Sequence, residues 1–102
     1  MFATVIIFPM PATTDWDALA ATAQKRADTY YRTVPGLLSK SFVINREQGE
    51  YGGVYAWDSA QSFEAFRESE AFRTALAKFG EPEIRTFEVP AYVAADEVTV
   101  SG

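Results

Sequence analysis

The side chains able to do acid–base or nucleophilic chemistry are few in this chain, which has neither histidine nor cysteine. That removes an imidazole base, a Ser-His relay, a proximal histidine for haem, a thiol nucleophile and thiolate metal ligands. Only carboxylates remain as strong metal ligands, so a zinc site is not expected. What is left is an amine, several phenols, two indoles and a few guanidinium groups. Lys40 interrupts the otherwise apolar run "LLSKSFVIN" at 37–45. An amine in that setting could steady a developing oxyanion or depress a phenol's pKa. The commoner role is a strand lysine whose stem packs while its amine reaches water. In "GGVYAW" at 52–57, alternation along a strand puts Gly53, Tyr55 and Trp57 on one face and Gly52, Val54 and Ala56 on the other. Two large rings beside a position with no side chain make a niche. Its face could line a pocket, anchor a partner or simply be core around a bulge.

These residues are held by a regular pattern of elements. Ala3 to Phe8, "ATVIIF", is a β-branched run apolar on both parities, as expected for a strand covered on both faces. Thr14 is placed to cap a helix whose apolar positions run Trp16, Ala20, Ala23, Ala27, Tyr30 and Val34, with Pro35-Gly36 as the stop. Leu37–Asn45 and Tyr51–Trp57, joined by the polar turn "REQGE", read as an antiparallel hairpin whose register is open by one residue. Asp58 is the expected cap of a second helix carrying Phe63 and Phe66. The step of six to Phe72 predicts a bend near Ser69, and Gly80 closes the helix. Glu83–Val89 is a fourth strand, continued by Pro90–Val93 as an edge segment. The order β-α-β-β-α-β predicts an α+β, ferredoxin-like domain over residues 1–95, with a loose tail at 96–102. Its four-stranded antiparallel sheet would carry both helices on one face. The other face is also apolar, and a second copy packed sheet against sheet is its simplest cover.

Composition narrows the partners. A chain of 102 residues with 48% hydrophobic and 15% aromatic content suits one domain with a core and an apolar pocket. A net charge of −5 without a basic cluster argues against nucleic acid. No apolar run is long enough to span a bilayer, and "MFATVIIFPMP" lacks the basic start of a signal peptide, so a cytoplasmic protein is expected.

The motifs Pro35-Gly36-Leu37-Leu38, Lys40, Gly52-Gly53-Val54-Tyr55, Asp58-Ser59, Ala65-Phe66 and Gly80 together resemble the YdhR-like monooxygenases. These are members of the dimeric α/β-barrel superfamily, with the antibiotic-biosynthesis monooxygenases as relatives. The resemblance implies a homodimer and a monooxygenase, on a fold that also hosts unrelated chemistry. Haem-degrading relatives use an axial histidine, which this chain lacks. The cofactor-free oxygenases, in which an electron-rich phenol or anthrone is deprotonated and meets dioxygen, are more similar. In them a tryptophan near the end of the third strand lines the cavity, and Trp57 stands in the comparable place. Some relatives have a polar residue where Gly53 stands, a departure that leaves the proton-handling group open.

The expected function is therefore cofactor-independent monooxygenation of a small quinol- or anthrone-type aromatic in a cavity between helices and sheet. The alternatives are a non-redox isomerase or lyase, or a binding protein for a small hydrophobic ligand. Trp57, Tyr55, Lys40 and Tyr30 are the candidate catalytic residues. Gly53, Phe63, Phe66, Phe42, Trp16 and Arg85 are the candidate substrate contacts; Trp16 would serve as lid or core, and Arg85 would meet an anionic group or pair with an edge carboxylate.

Overall fold

The structure is a computed structural model that describes residues 1–95. The tail expected at 96–102 lies outside the described residues. Four strands, β1 (Phe2–Pro9), β2 (Leu37–Asn45), β3 (Glu50–Trp57) and β4 (Glu83–Glu88), form one sheet in the order β2-β3-β1-β4. Every neighbouring pair is antiparallel. Helices α1 (Trp16–Asp28), α2 (Ala60–Arg67) and α3 (Glu70–Phe79) complete the ferredoxin-like α+β fold.

β1 and β3 are the two inner strands, which accounts for their apolar character on both parities. Thr4, Ile6 and Phe8 of β1 and Tyr51, Tyr55 and Trp57 of β3 are buried on the helix-covered face. Apart from the tyrosine hydroxyls, Thr4 is the one fully buried polar residue among the described residues. It accepts the indole N–H of fully buried Trp57 at 3.1 Å, so burying that donor leaves no orphan. The opposite parity, with Val54 and Phe87 exposed, forms the open face.

Local chemistry moves several boundaries from where the sequence pattern puts them. Asp15, not Thr14, caps α1 by accepting the Ala18 N–H; the Thr14 hydroxyl donates instead to the Pro11 carbonyl. Leu19 is half-buried and Ala23 buried, whereas Ala20 is exposed. The helix stops at Asp28, and a 3-10 turn at Tyr31–Thr33 replaces the expected continuation to Val34. Ser59 rather than Asp58 caps α2, because the Asp58 carboxylate is taken up by the Ser59 and Ser62 hydroxyls.

The bend at Ser69 is a full break. The Ser69 hydroxyl oxygen accepts the Phe72 N–H and starts a third helix. Six residues of continuous helix would turn Phe72 about 120° away from Phe66; the break lets their rings meet at 5.6 Å. β4 ends at Glu88, and Pro90–Val93 does not extend it. The Val89 N–H does reach the Met1 carbonyl, but proline has no N–H to carry the ladder on.

Candidate active site

A cavity of about 510 Å³ lies between the sheet and the helices. That volume is ample for a small aromatic. Its floor is the inward parity of three strands: Ile6 and Phe8, Lys40 and Phe42, Tyr51 and Tyr55. Leu19, Thr22 and Arg26 line it from α1, Tyr31 from the 3-10 turn, and Phe66, Phe72 and Phe79 from α2 and α3. Met10, Pro11 and Thr13 to Asp15, in the loop before α1, contribute to the mouth. Asp15 is a carboxylate at that mouth, already engaged as the helix cap.

The hairpin register decides the chemistry. Lys40 stands opposite Tyr55, and Phe42 opposite Gly53. All four therefore point to the helix side, while Ser39 and Ser41 face out and are exposed. A Cβ at Gly53 would come within 2.8 Å of both Lys40 Cε and the Tyr55 ring. The niche above Gly53 is thus filled by the protein itself: the missing side chain lets the lysine stem and the tyrosine ring cross there. Gly52 answers a different need, since a Cβ there would run into the Ile6 carbonyl of the neighbouring strand.

Three rings surround the Lys40 amine. Nζ lies 3.5 Å from the Tyr31 ring centre, 3.9 Å from Phe42 and 4.6 Å from Tyr55. Among the described residues no carboxylate forms an ion pair with it. Burial, and next the positive charge of Arg26, bring its pKa down to about 6. The ring faces pull the other way, because their quadrupoles favour the ammonium. The phenols behave oppositely. Burial first, then Tyr31, pushes Tyr55 far up; burial also raises Tyr31, with Arg26 working against it, and raises Tyr51. At neutral pH the tyrosines are hydrogen-bond donors rather than bases. The site therefore joins the Lys40 amine, able to lose its proton near neutrality, the Arg26 guanidinium and phenol donors in a chamber floored by aromatic rings, with Asp15 and Lys78 also in its lining.

Of the residues expected from sequence, Tyr55, Lys40, Phe42 and Phe66 line the cavity. Others do not. Trp57 is 0% exposed and stacks behind Tyr55 at 5.7 Å, so it supports the wall without forming it. Phe63 packs in turn on Trp57 and Phe2. Trp16 packs against the core from the first turn of α1 and does not reach the chamber. Tyr30 does not line it either, because the 3-10 turn presents Tyr31 in its place, with Tyr30 edge-on behind at 4.9 Å. Arg85 pairs with Val5 on the open face, its guanidinium 5.1 Å from the Phe87 ring centre.

Arg26, Tyr51 and Phe72 were not expected in the site. Arg26 follows Trp16, Leu19 and Ala23 at helical spacing, and a charge on an inward stripe is the signal that marks it. Tyr51 shares the parity of Tyr55. Among the described residues there is no cluster of three metal-ligating side chains, and no helix is long and apolar enough to cross a membrane.

Residues 5–99 match the family described as "Putative mono-oxygenase ydhR". No curated protein matches the chain. Solved structures share the fold at low identity. An NE2512 protein of unknown function from Nitrosomonas europaea has a TM-score of 0.75 at 13% identity, covering 94% of this chain and 95% of its own. The monooxygenase ActVA-Orf6 of Streptomyces coelicolor, in complex with Nanaomycin D, has a TM-score of 0.66 at 22% identity, over 93% and 92% of the two chains. The haem-degrader MhuD of Mycobacterium tuberculosis, with two haems in its active site, has a TM-score of 0.69 at 19% identity, over 92% and 100%.

Proposed function

The chain belongs to the ydhR mono-oxygenase family, and on that premise we propose that it oxygenates a small electron-rich aromatic, of quinol or anthrone type, without a cofactor. The observation that carries this reading is the Lys40 amine, set inside the chamber among three rings and beside Arg26. The neutral amine takes a proton from the bound substrate. The resulting oxyanion is held by Arg26 and by the Tyr31 and Tyr55 hydroxyls. A delocalised carbanion of this kind can give electrons to dioxygen directly. For an anthrone, the ring CH₂ and O₂ become C=O and H₂O. Two C–H bonds break, one oxygen atom is retained, and the substrate supplies all four electrons, so no separate reductant is required.

Oxidation of an anthrone under isotopically heavy dioxygen tests the reading. One heavy oxygen atom in the product supports it. Turnover that proceeds equally without oxygen would replace it with the isomerase or lyase reading. Retention of an unaltered ligand would replace it with binding alone.

A second copy of the chain is the proposed cover for the open sheet face, where Val54 and Phe87 are 42% and 40% exposed. Val5, Ile7 and Val43, on the same face, are only half-covered. An apolar stripe of this kind along the inner strands, flanked by Ser41 on β2 and Arg85 on β4, favours a partner with the same surface, related by a two-fold axis. A cytoplasmic setting is in keeping with the cysteine-free sequence.

A further inference from the structure

Lys40 has a second property that proton transfer does not use. Amines become nucleophiles at neutral pH when they are desolvated in an apolar pocket or set beside another cation. Lys40 meets both conditions. Its stem crosses Gly53, its amine faces the rings of Tyr31, Phe42 and Tyr55, and Arg26 approaches from α1. The other titratable groups lining the chamber are Tyr51 on β3, Lys78 on α3 and the capping Asp15.

Tyr31, Lys40 and Phe42 also line a second, smaller cavity of about 350 Å³, bounded by Ala27, Arg32 and Ser39 among others. Lys40 thus borders both spaces. One can hold an aromatic ring, and the other gives a small molecule such as water somewhere to go.

We propose that Lys40 is a carbonyl-capture site, at which an aromatic aldehyde bearing an adjacent phenol oxygen condenses to an imine with that oxygen facing Arg26. The amine lone pair attacks the carbonyl carbon and gives a carbinolamine. Both nitrogen protons then leave with the carbonyl oxygen as water, and a C=N bond replaces C=O. When the imine takes up a proton it is a cation, and the rings that face the ammonium face it equally. This assignment rests on the chamber's geometry and does not require the oxygenase reading.

The test is reductive trapping of the full chain at pH 7 with salicylaldehyde, benzaldehyde or hexanal and cyanoborohydride, followed by peptide mapping. The exposed amines of Lys25 and the N-terminus, both outside the chamber lining, serve as internal controls. With salicylaldehyde, the dominant lysine adduct is expected at Lys40, exceeding that at exposed Lys25 by more than ~100-fold, because Lys25 lacks the ring-lined, cation-flanked setting that activates an amine. Lys40→Met and Lys40→Arg, each checked for folding by circular dichroism, should lose that adduct. Arg26→Met should reduce the preference for salicylaldehyde over benzaldehyde at Lys40 to the intrinsic preference that Lys25 shows. Labelling spread evenly over the lysines, labelling confined to the N-terminus, or no adduct would each overturn the assignment. Oxygen uptake measured separately on unlabelled protein keeps its failure distinct from that of the proposed function.

Discussion

At the scale of single residues, Lys40 ties stability to pH. Its ordinary pKa of 10.5 falls to about 6 in the folded chain. Between those values the unfolded chain holds a proton that the folded chain has released. Stability therefore rises with pH from about 6 toward 10.5, by at most ~1.4 kcal/mol per pH unit and by less where the rings favour the ammonium. Above pH 10 the raised phenols of Tyr31, Tyr51 and Tyr55 reverse the slope, since the folded chain then keeps protons that the unfolded chain loses. Lys40→Met should melt higher than the wild type at pH 7, lose the rise between pH 6 and 9, and lack oxygenase activity. Thermal unfolding at a series of pH values checks this; a wild-type melting temperature that falls across the window would contradict it. Activity should climb with pH through about 6 as the amine becomes neutral. Arg26→Met removes a charge that lowers the Lys40 pKa, so the rising limb of kcat/KM should move to higher pH. Trp57 belongs with stability instead. Thr4→Val leaves its indole N–H without a partner and should cost ~1–3 kcal/mol, read by denaturant unfolding, with little change in kcat.

At the scale of elements, β3 carries the site because of what it omits. Gly53→Ala puts a methyl against the Lys40 stem and the Tyr55 ring, which is backed by Trp57 and cannot retreat. The lysine, with its flexible end, gives way. The expected result is a large loss of kcat/KM with a destabilisation of only ~1–3 kcal/mol, compared by kinetics and melting on one preparation. Gly52→Ala, directed at the Ile6 carbonyl in the sheet backbone, should fail to fold. The strands and their order were legible in the sequence because β-branched runs, a Gly-bearing turn and Pro-Gly stops report directly on local geometry. The parity of Gly53, Tyr55 and Trp57 was legible too, but not which rings meet the chamber. That depends on where α1 ends. A helix carried to Val34 would present Tyr30, whereas the stop at Asp28 presents Tyr31, and the apolar stripe alone does not distinguish the two. The inward pointing of Lys40 depended on a hairpin register that periodicity leaves open by one. Arg26 is not legible as a site residue, because a charge within a helical stripe usually belongs to the solvent face.

At the scale of the whole molecule, one sheet serves two purposes, with the chamber on its helical side and the proposed contact with a second copy on the other. Val54→Glu would place charge at the middle of that contact and should shift sedimentation at micromolar protein from dimer to monomer, leaving the chamber lining unchanged; a wild-type chain that already sediments as a monomer would remove the proposal. The central claim is that this chamber lets an aromatic anion meet dioxygen using only the chain's own groups. Oxygen consumption by chelator-treated protein, against a panel of hydroquinones, anthrones and flavonols, tests it most directly. The account predicts uptake that saturates with at least one substrate, survives chelation and disappears in Lys40→Met. No uptake across the panel, or uptake unchanged in Lys40→Met, would contradict it.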